Sequence, residues 1–157
     1  LKKILFVCTG NTCRSPMAEG LLRDLIPGHW RDDIEIGSAG TFAWDGQPAT
    51  SLAVKVLRDK GIDISGHRAR RLSPDLVHGS DLIVTMAEEH RIAVEAMAAG
   101  VDAEVVVLGD LDEKRDDRDI GDPIGGDESV YSKVRDDIYG LIGLLIEDVS
   151  NRFNLNR

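Results

Sequence analysis

Residues 7–16 read VCTGNTCRSP and hold both cysteines of the chain, Cys8 and Cys13, together with Gly10, Asn11 and Arg14. Three chemistries use such a set: a metal clip, a redox pair, or a cradle for an anion. A metal clip needs further ligands, and no other Cys or nearby His completes a zinc spacing, so neither a metal nor a cofactor is expected. An anion cradle needs only a loop that leaves a strand and enters a helix, because its successive N–H groups then converge beside the positive end of a helix dipole. Gly10 permits close backbone approach, Asn11 tolerates a left-handed conformation, and Arg14 adds a bidentate fork matched to phosphate oxygens. Thr9, Gly10, Asn11, Thr12, Cys13 and Arg14 are therefore the expected phosphate-binding residues. Cys8 would sit beneath the anion, where the same groups favour its thiolate and place it in line for attack.

A nucleophile of this kind needs a proton donor on the leaving-group side. The polar segment 109–128, GDLDEKRDDRDIGDPIGGDE, offers Asp122, followed by a stiffening Pro123 and two glycines that allow a tight return. Spacing alone does not separate Asp122 from Asp116, Asp117, Asp119 and Asp127, which could equally be solvated loop carboxylates.

The elements that would position these residues can be read from periodicity. KKILFVCT is a short β-rich apolar run, and SPMAEGLLRDLI sets Met17, Gly20, Leu21, Leu22 and Leu25 near helical spacing with Pro16 in a first turn. DIEIGSAG, SDLIVTM and AEVVVLGD read as further strands. Helices are expected from near Pro48 to Gly61, over AEEHRIAVEAMAAG, and from about Asp127 to Val149, the last with Val130, Val134, Ile138, Leu141 and Leu145 on one side. Strands alternating with helices imply an α/β fold: one three-layer domain over residues 1–157, with a central parallel sheet of about four strands covered by helices on both faces. The loop after the first strand then lies beyond a strand's carboxyl end, where such sheets bind ligands.

Composition narrows the partners. A hydrophobic fraction of 42% with 30% charged residues is that of a globular chain. A net charge of −9 argues against generic binding to nucleic acid or anionic membrane, so any phosphate must be recognised locally. No apolar run approaches a membrane span, and the stretch before Cys8 is too short for a signal peptide, which makes the cytoplasm the expected compartment.

The pattern VCTGNTCRSPMAE with a late Asp-Pro before the last helix resembles the low-molecular-weight protein tyrosine phosphatases. IGSAGT, GIDISGHRARRL, SDLIVTM and GDPIGG follow in the family's order, so the likeness spans nearly the whole chain. The resemblance implies that Cys8 attacks phosphorus, that Arg14 binds the phosphoryl oxygens, and that Asp122 protonates the leaving group and then activates water against a cysteinyl phosphate. It implies a supporting hydrogen-bond network on Asn11, Ser15, Ser38 and His67, with Ser15 donating to the Cys8 sulfur. Cys13 becomes either packing or a partner that traps oxidised Cys8 as a reversible disulfide. Trp44 and Ile124 are expected at the substrate cleft. The implied partner is a phosphorylated protein, acted on by a monomer.

Phosphotyrosine-directed members carry an aliphatic residue after the loop Asn and aromatic residues after Asp-Pro. This chain has Thr12 and Ile124-Gly125 instead, which resembles the bacterial protein arginine phosphatases of the same family. Phosphotyrosine and phosphoarginine both stay open. An arsenate reductase would need relay cysteines beyond Cys8 and Cys13, and a pure phosphate-binding module would need neither thiolate nor acid. His29, His78 and His90 are expected to face solvent, and Trp30 and Phe42 to pack.

Overall fold

Alternation along the first strand sets the architecture. In the computed structural model, which describes residues 1–100 and 103–156, Lys2–Cys8 form β1. Ile4, Phe6 and Cys8 enter one hydrophobic cluster, Leu5 and Val7 another, and all five are buried. A strand apolar on both sides must be covered on both sides. Ile34–Gly40 (β2), Leu82–Thr85 (β3) and Glu104–Val107 (β4) complete a sheet of order β2-β1-β3-β4 in which every pairing is parallel.

The Phe6 side is covered by α1 (Arg14–Leu25), α2 (Ser51–Arg58) and α5 (Glu128–Phe153). The Val7 side is covered by α3 (Pro74–His78) and α4 (Glu88–Met97), through Val77 and Val94. Fully buried Met17, Leu21, Leu57, Ile138 and Leu145 lie in the first cluster, each such side chain worth roughly 1.5–3 kcal/mol. The three-layer α/β expectation is met. No described helix is long and apolar enough to cross a membrane.

Several boundaries differ from the expectation. The second helix begins at Ser51 because the Thr50 hydroxyl accepts from Ala53 N and caps it, so Pro48 precedes the helix. The five-residue α3, capped by Ser73, is too short to show a helical period. The last helix runs to Phe153 and stops where Asn154 turns left-handed, φ 53°. In its first turn Tyr131 is buried in the core and Val130 is exposed, while Ile138, Leu141 and Leu145 are buried further along. Phe42 is 70% exposed rather than packed, on the loop that leaves β2.

The direction in which strands are added reverses between β1 and β3, since the link from β1 runs outward to β2 and the next crosses back to β3. That is the crevice where doubly wound sheets hold ligands. Residues 9–13 and the start of α4 flank it.

Candidate active site

The loop after β1 is held by a side chain inside it. Asn11 is fully buried with φ 56°, the left-handed region that Asn tolerates. Its Nδ2 donates to Ser15 Oγ at 2.8 Å and to Ser38 Oγ at 2.9 Å, while its Oδ1 accepts from Arg70 N at 2.9 Å. His67 Nε2 donates to the Asn11 carbonyl at 2.7 Å. Ser38 passes the chain on to Glu19 Oε1 at 2.7 Å. The network expected on Asn11, Ser15, Ser38 and His67 is thus assembled, with Arg70 and Glu19 as members that the sequence did not single out.

Close approach from β2 completes the loop's support. A Cβ on Gly40 would lie 2.4 Å from Thr9 O and 2.9 Å from Asn11 N. Only glycine lets the strand end and the loop share that space, and the backbone uses it: Thr41 N donates to Cys8 O and Phe42 N to Thr9 O.

Cys8 is buried at the strand end with Ser15 Oγ 2.9 Å from its sulfur. Ser15 already accepts from Asn11, so its own proton is directed to Cys8. Burial pushes the Cys8 thiol above its usual range, against the Ser15 hydrogen bonds, the Arg14 charge and the Asn11 backbone, which all pull it down. The expected support for a thiolate is in place, but desolvation outweighs it.

Arg14 leads into α1 and is 5% exposed. Its Nη1 donates to Ile120 O at 3.0 Å, and its Nη2 lies 3.5 Å from Asp122 Oδ2. Ile120 is the anchor of the long polar segment: its side chain is 1% exposed and its N donates to Met86 O at the end of β3. Asp122 follows two residues later, its Oδ1 accepting from Ile124 N at 3.1 Å. Pro123 is buried, and Gly125 takes φ 80° in the tight return. Three of the four competing carboxylates are occupied elsewhere. Asp119 accepts from Glu88 N at the start of α4, Asp127 caps α5 through Val130 N, and Asp117 accepts from Asp119 N.

Cys8, Thr9, Gly10, Thr12, Cys13, Arg14, Asp122 and Ile124 line one pocket of about 200 Å³. Trp44 is not among its lining residues; it stands 77% exposed on the loop after β2, beside Phe42 and Arg71. Three larger clefts, of about 330, 360 and 370 Å³, contain neither cysteine. Cys13 faces hydroxyls, with its sulfur 3.3 Å from Tyr131 Oη and 3.5 Å from Thr50 Oγ1. Burial first, then the Cys13 contact, pushes the Tyr131 phenol up to about 12. Among the described residues no three His, Cys, Asp or Glu side chains are gathered as a metal site requires.

A further expectation is overturned. His90 does not face solvent: it is 1% exposed, and its Nε2 lies 2.9 Å from Thr9 Oγ1 at the pocket wall. Its place in the first turn of a helix, where the apolar period had not yet begun, concealed this. His29 and His78 are exposed, and Trp30 is in the core, as expected. Ile120 left one signal that could have been used, a lone apolar residue within a run of charges.

An oxyanion seated in this pocket would meet a cysteine below, a guanidinium beside it and a carboxylate across the opening. Comparisons with known proteins agree with that arrangement. The family model described as low molecular weight phosphotyrosine protein phosphatase matches residues 3–154. The chain is 42% identical over 123 residues to the probable low molecular weight protein-tyrosine-phosphatase EpsP of Ralstonia solanacearum, covering 78% of this chain and 79% of that protein. It is 38% identical over 147 residues to the protein-arginine-phosphatase of Geobacillus stearothermophilus, covering 92% and 94%. The solved structure of the YwlE arginine phosphatase from Geobacillus stearothermophilus superposes with a TM-score of 0.85 at 34% identity, covering all of this chain and 98% of that one. This chain belongs to the low molecular weight phosphotyrosine protein phosphatase family.

Proposed function

We propose that the protein removes phosphoryl groups from phosphorylated protein side chains through a cysteinyl phosphate. The observation that carries this reading is the convergence of Cys8, Arg14 and Asp122 on one pocket. In the first step the Cys8 thiolate forms an S–P bond as the bond from phosphorus to the leaving atom breaks, and the departing atom takes the Asp122 proton. In the second, water attacks phosphorus, Asp122 takes its proton, the S–P bond breaks and inorganic phosphate leaves with the thiolate restored. Arg14 and the N–H groups of residues 9–14 bind the three equatorial oxygens throughout. Ser15 stabilises the sulfur as leaving group, and Asn11, Ser38 and His67 keep the loop in shape.

Phosphotyrosine is the first reading, taken from the family. Phosphoarginine is the second, favoured by a pocket lining that contains Thr12 and Ile124 and no aromatic ring. A guanidinium needs polar neighbours and a carboxylate, which Thr12 and Asp122 supply, whereas a phenyl ring gains from apolar faces. Trp44, exposed on a neighbouring loop, supports a role in holding the polypeptide that carries the substrate.

Cys13 enters as a redox partner. Peroxide would convert the Cys8 thiolate to a sulfenic acid, and attack by the Cys13 sulfur would form the disulfide and release water. Both cysteines are free thiols that line the same pocket. A chain with two cysteines, too few for a disulfide framework, supports the cytoplasm, and the charge of −9 supports a monomer.

The test is turnover of phosphotyrosine and phosphoarginine peptides side by side by wild type and Cys8→Ser. Wild-type turnover of at least one, abolished in the variant while phosphate binding persists, is expected. Turnover at wild-type rate in the variant overturns the covalent mechanism.

A further inference from the structure

His90 stands behind Thr9 of the pocket wall and has no task in the reaction described above. It lies in the first turn of α4, just beyond the carboxyl end of β3. Its Nε2 approaches Thr9 Oγ1 at 2.9 Å, and Arg14 Nη2 donates to the same oxygen at 3.4 Å. Its Nδ1 is buried and has no partner among the described residues. Burial, then the nearby Arg14 charge, pushes the imidazole down to about 4, so near neutral pH the ring carries one proton.

Two placements of that proton exist. On Nδ1 it would be a buried donor with no acceptor, while Nε2 accepted the Thr9 hydroxyl. On Nε2 it reaches Thr9 Oγ1, and only a lone pair is left alone at Nδ1. Orphaned buried N–H groups are rarer in native proteins than under-used acceptors. The second placement is therefore preferred, and it has a consequence for Thr9. With His90 and Arg14 both donating to its oxygen, the Thr9 hydroxyl proton is directed away from both, and Thr9 lines the Cys8 pocket.

We propose that His90 is a positioning residue: its Nε2–H, with Arg14 on the second lone pair, turns the Thr9 hydroxyl into a donor aimed at an oxygen of the transferred phosphoryl group. The inference rests on the phosphatase reading above. A donor set in advance needs no rotation when charge develops on the phosphoryl oxygens, which is how fixed dipoles stabilise a transition state. Thr9 then acts on phosphate itself, whereas Thr12 bears on what the phosphate is attached to.

Two measurements test it. Long-range ¹H–¹⁵N correlation spectra of the wild-type imidazole, with and without inorganic phosphate at pH 7, should show the Nε2–H tautomer; the Nδ1–H tautomer overturns the proposal. Kinetics with an aryl phosphate should show His90→Phe losing roughly tenfold in kcat/KM, the scale of one hydrogen bond. His90→Gln, which returns a donor near the Nε2 position, should recover most of the loss. Thr9→Val should lose a similar factor, and the double variant His90→Phe/Thr9→Val should be no worse than Thr9→Val alone. Additive losses, or His90→Gln as impaired as His90→Phe, overturn the proposal. If wild type turns over no phosphorylated substrate, the phosphatase reading fails separately. Inorganic phosphate affinity then decides the hydrogen bond by itself: weaker binding by His90→Phe supports it, and equal binding overturns it.

Discussion

Arg14 donates through Nη1 to the carbonyl of Ile120 at 3.0 Å, so one hydrogen bond ties the guanidinium of the pocket to the loop that carries Asp122. Ile120 is fixed from its other side by Met86, through its N–H, and by burial of its side chain. The Asp122 carboxylate and the Arg14 guanidinium are thus registered to each other by an apolar residue that does not itself line the pocket. Ile120→Ala should cost about 2–5 kcal/mol of stability, as for a buried Ile. It should also lower kcat more than it weakens phosphate binding, because Asp122 loses its anchor while the loop 9–13 does not. Denaturant unfolding and steady-state kinetics on the same samples check both. Unchanged kcat in a folded variant would separate Ile120 from the acid.

Asp122 and Asp119 lie three residues apart and do different work. Asp122→Ala should lose roughly 10²-fold or more in kcat, the range of a removed general acid, and lose most on substrates with poor leaving groups. Asp119→Ala removes the acceptor of Glu88 N, so it should cost about 1 kcal/mol of stability as a lost helix cap with a small effect on kcat. Leaving-group dependence of kcat across a series of aryl phosphates distinguishes them. Equal effects of the two substitutions would assign the acid wrongly.

Ser15 is the first group opposing the burial that raises the Cys8 thiol. Ser15→Ala removes the side-chain hydrogen bond, so the thiol should titrate at still higher pH than in wild type. Iodoacetamide should then alkylate Cys8 more slowly at pH 7, and the rate profile against pH should move to the alkaline side. A profile that stays in place would show that the Ser15 contact does not bear on the thiolate.

Thr12 lines the pocket beside Ile124. Thr12→Ile removes a hydroxyl and adds apolar surface, so it should lower activity on phosphoarginine peptides and raise it on phosphotyrosine peptides. A shift on the order of 1–3 kcal/mol in the ratio of the two kcat/KM values is expected if one contact dominates. An unchanged ratio removes Thr12 as the selector and leaves phosphotyrosine as the first reading.

Burial of His90 gives stability a pH dependence of definite sign. The ring is pushed from an ordinary 6.5 down to about 4, so between those values the unfolded chain binds a proton that the folded one refuses. Its contribution is fully present above about pH 6.5 and is lost as pH falls toward 4, by up to about 3 kcal/mol. Urea unfolding of wild type and His90→Gln at pH 7 and pH 4.5 should show a larger acid loss in wild type. Equal losses would mean that the ring is protonated in the folded state.

The sequence by itself determined the strands, the longer helices and the candidate phosphate loop, because each is local. Alternation in KKILFVCT and the helical spacing of Met17, Leu21 and Leu22 sufficed for β1 and α1, and Gly10, Asn11 and Arg14 needed only their order along five residues to suggest an anion cradle. Spacing did not separate Asp117, Asp119, Asp122 and Asp127, which have the same chemistry; the resemblance pointed to Asp122, and only the tertiary structure decided which of them reaches the pocket of Cys8. All four accept a backbone N–H at a turn or helix start, and Asp122 alone of the four also lines the pocket. His90 was misread for the same reason. It is brought to Thr9 across 81 residues by the pairing of β1 with β3, and a contact formed by strand order leaves no local period along the chain.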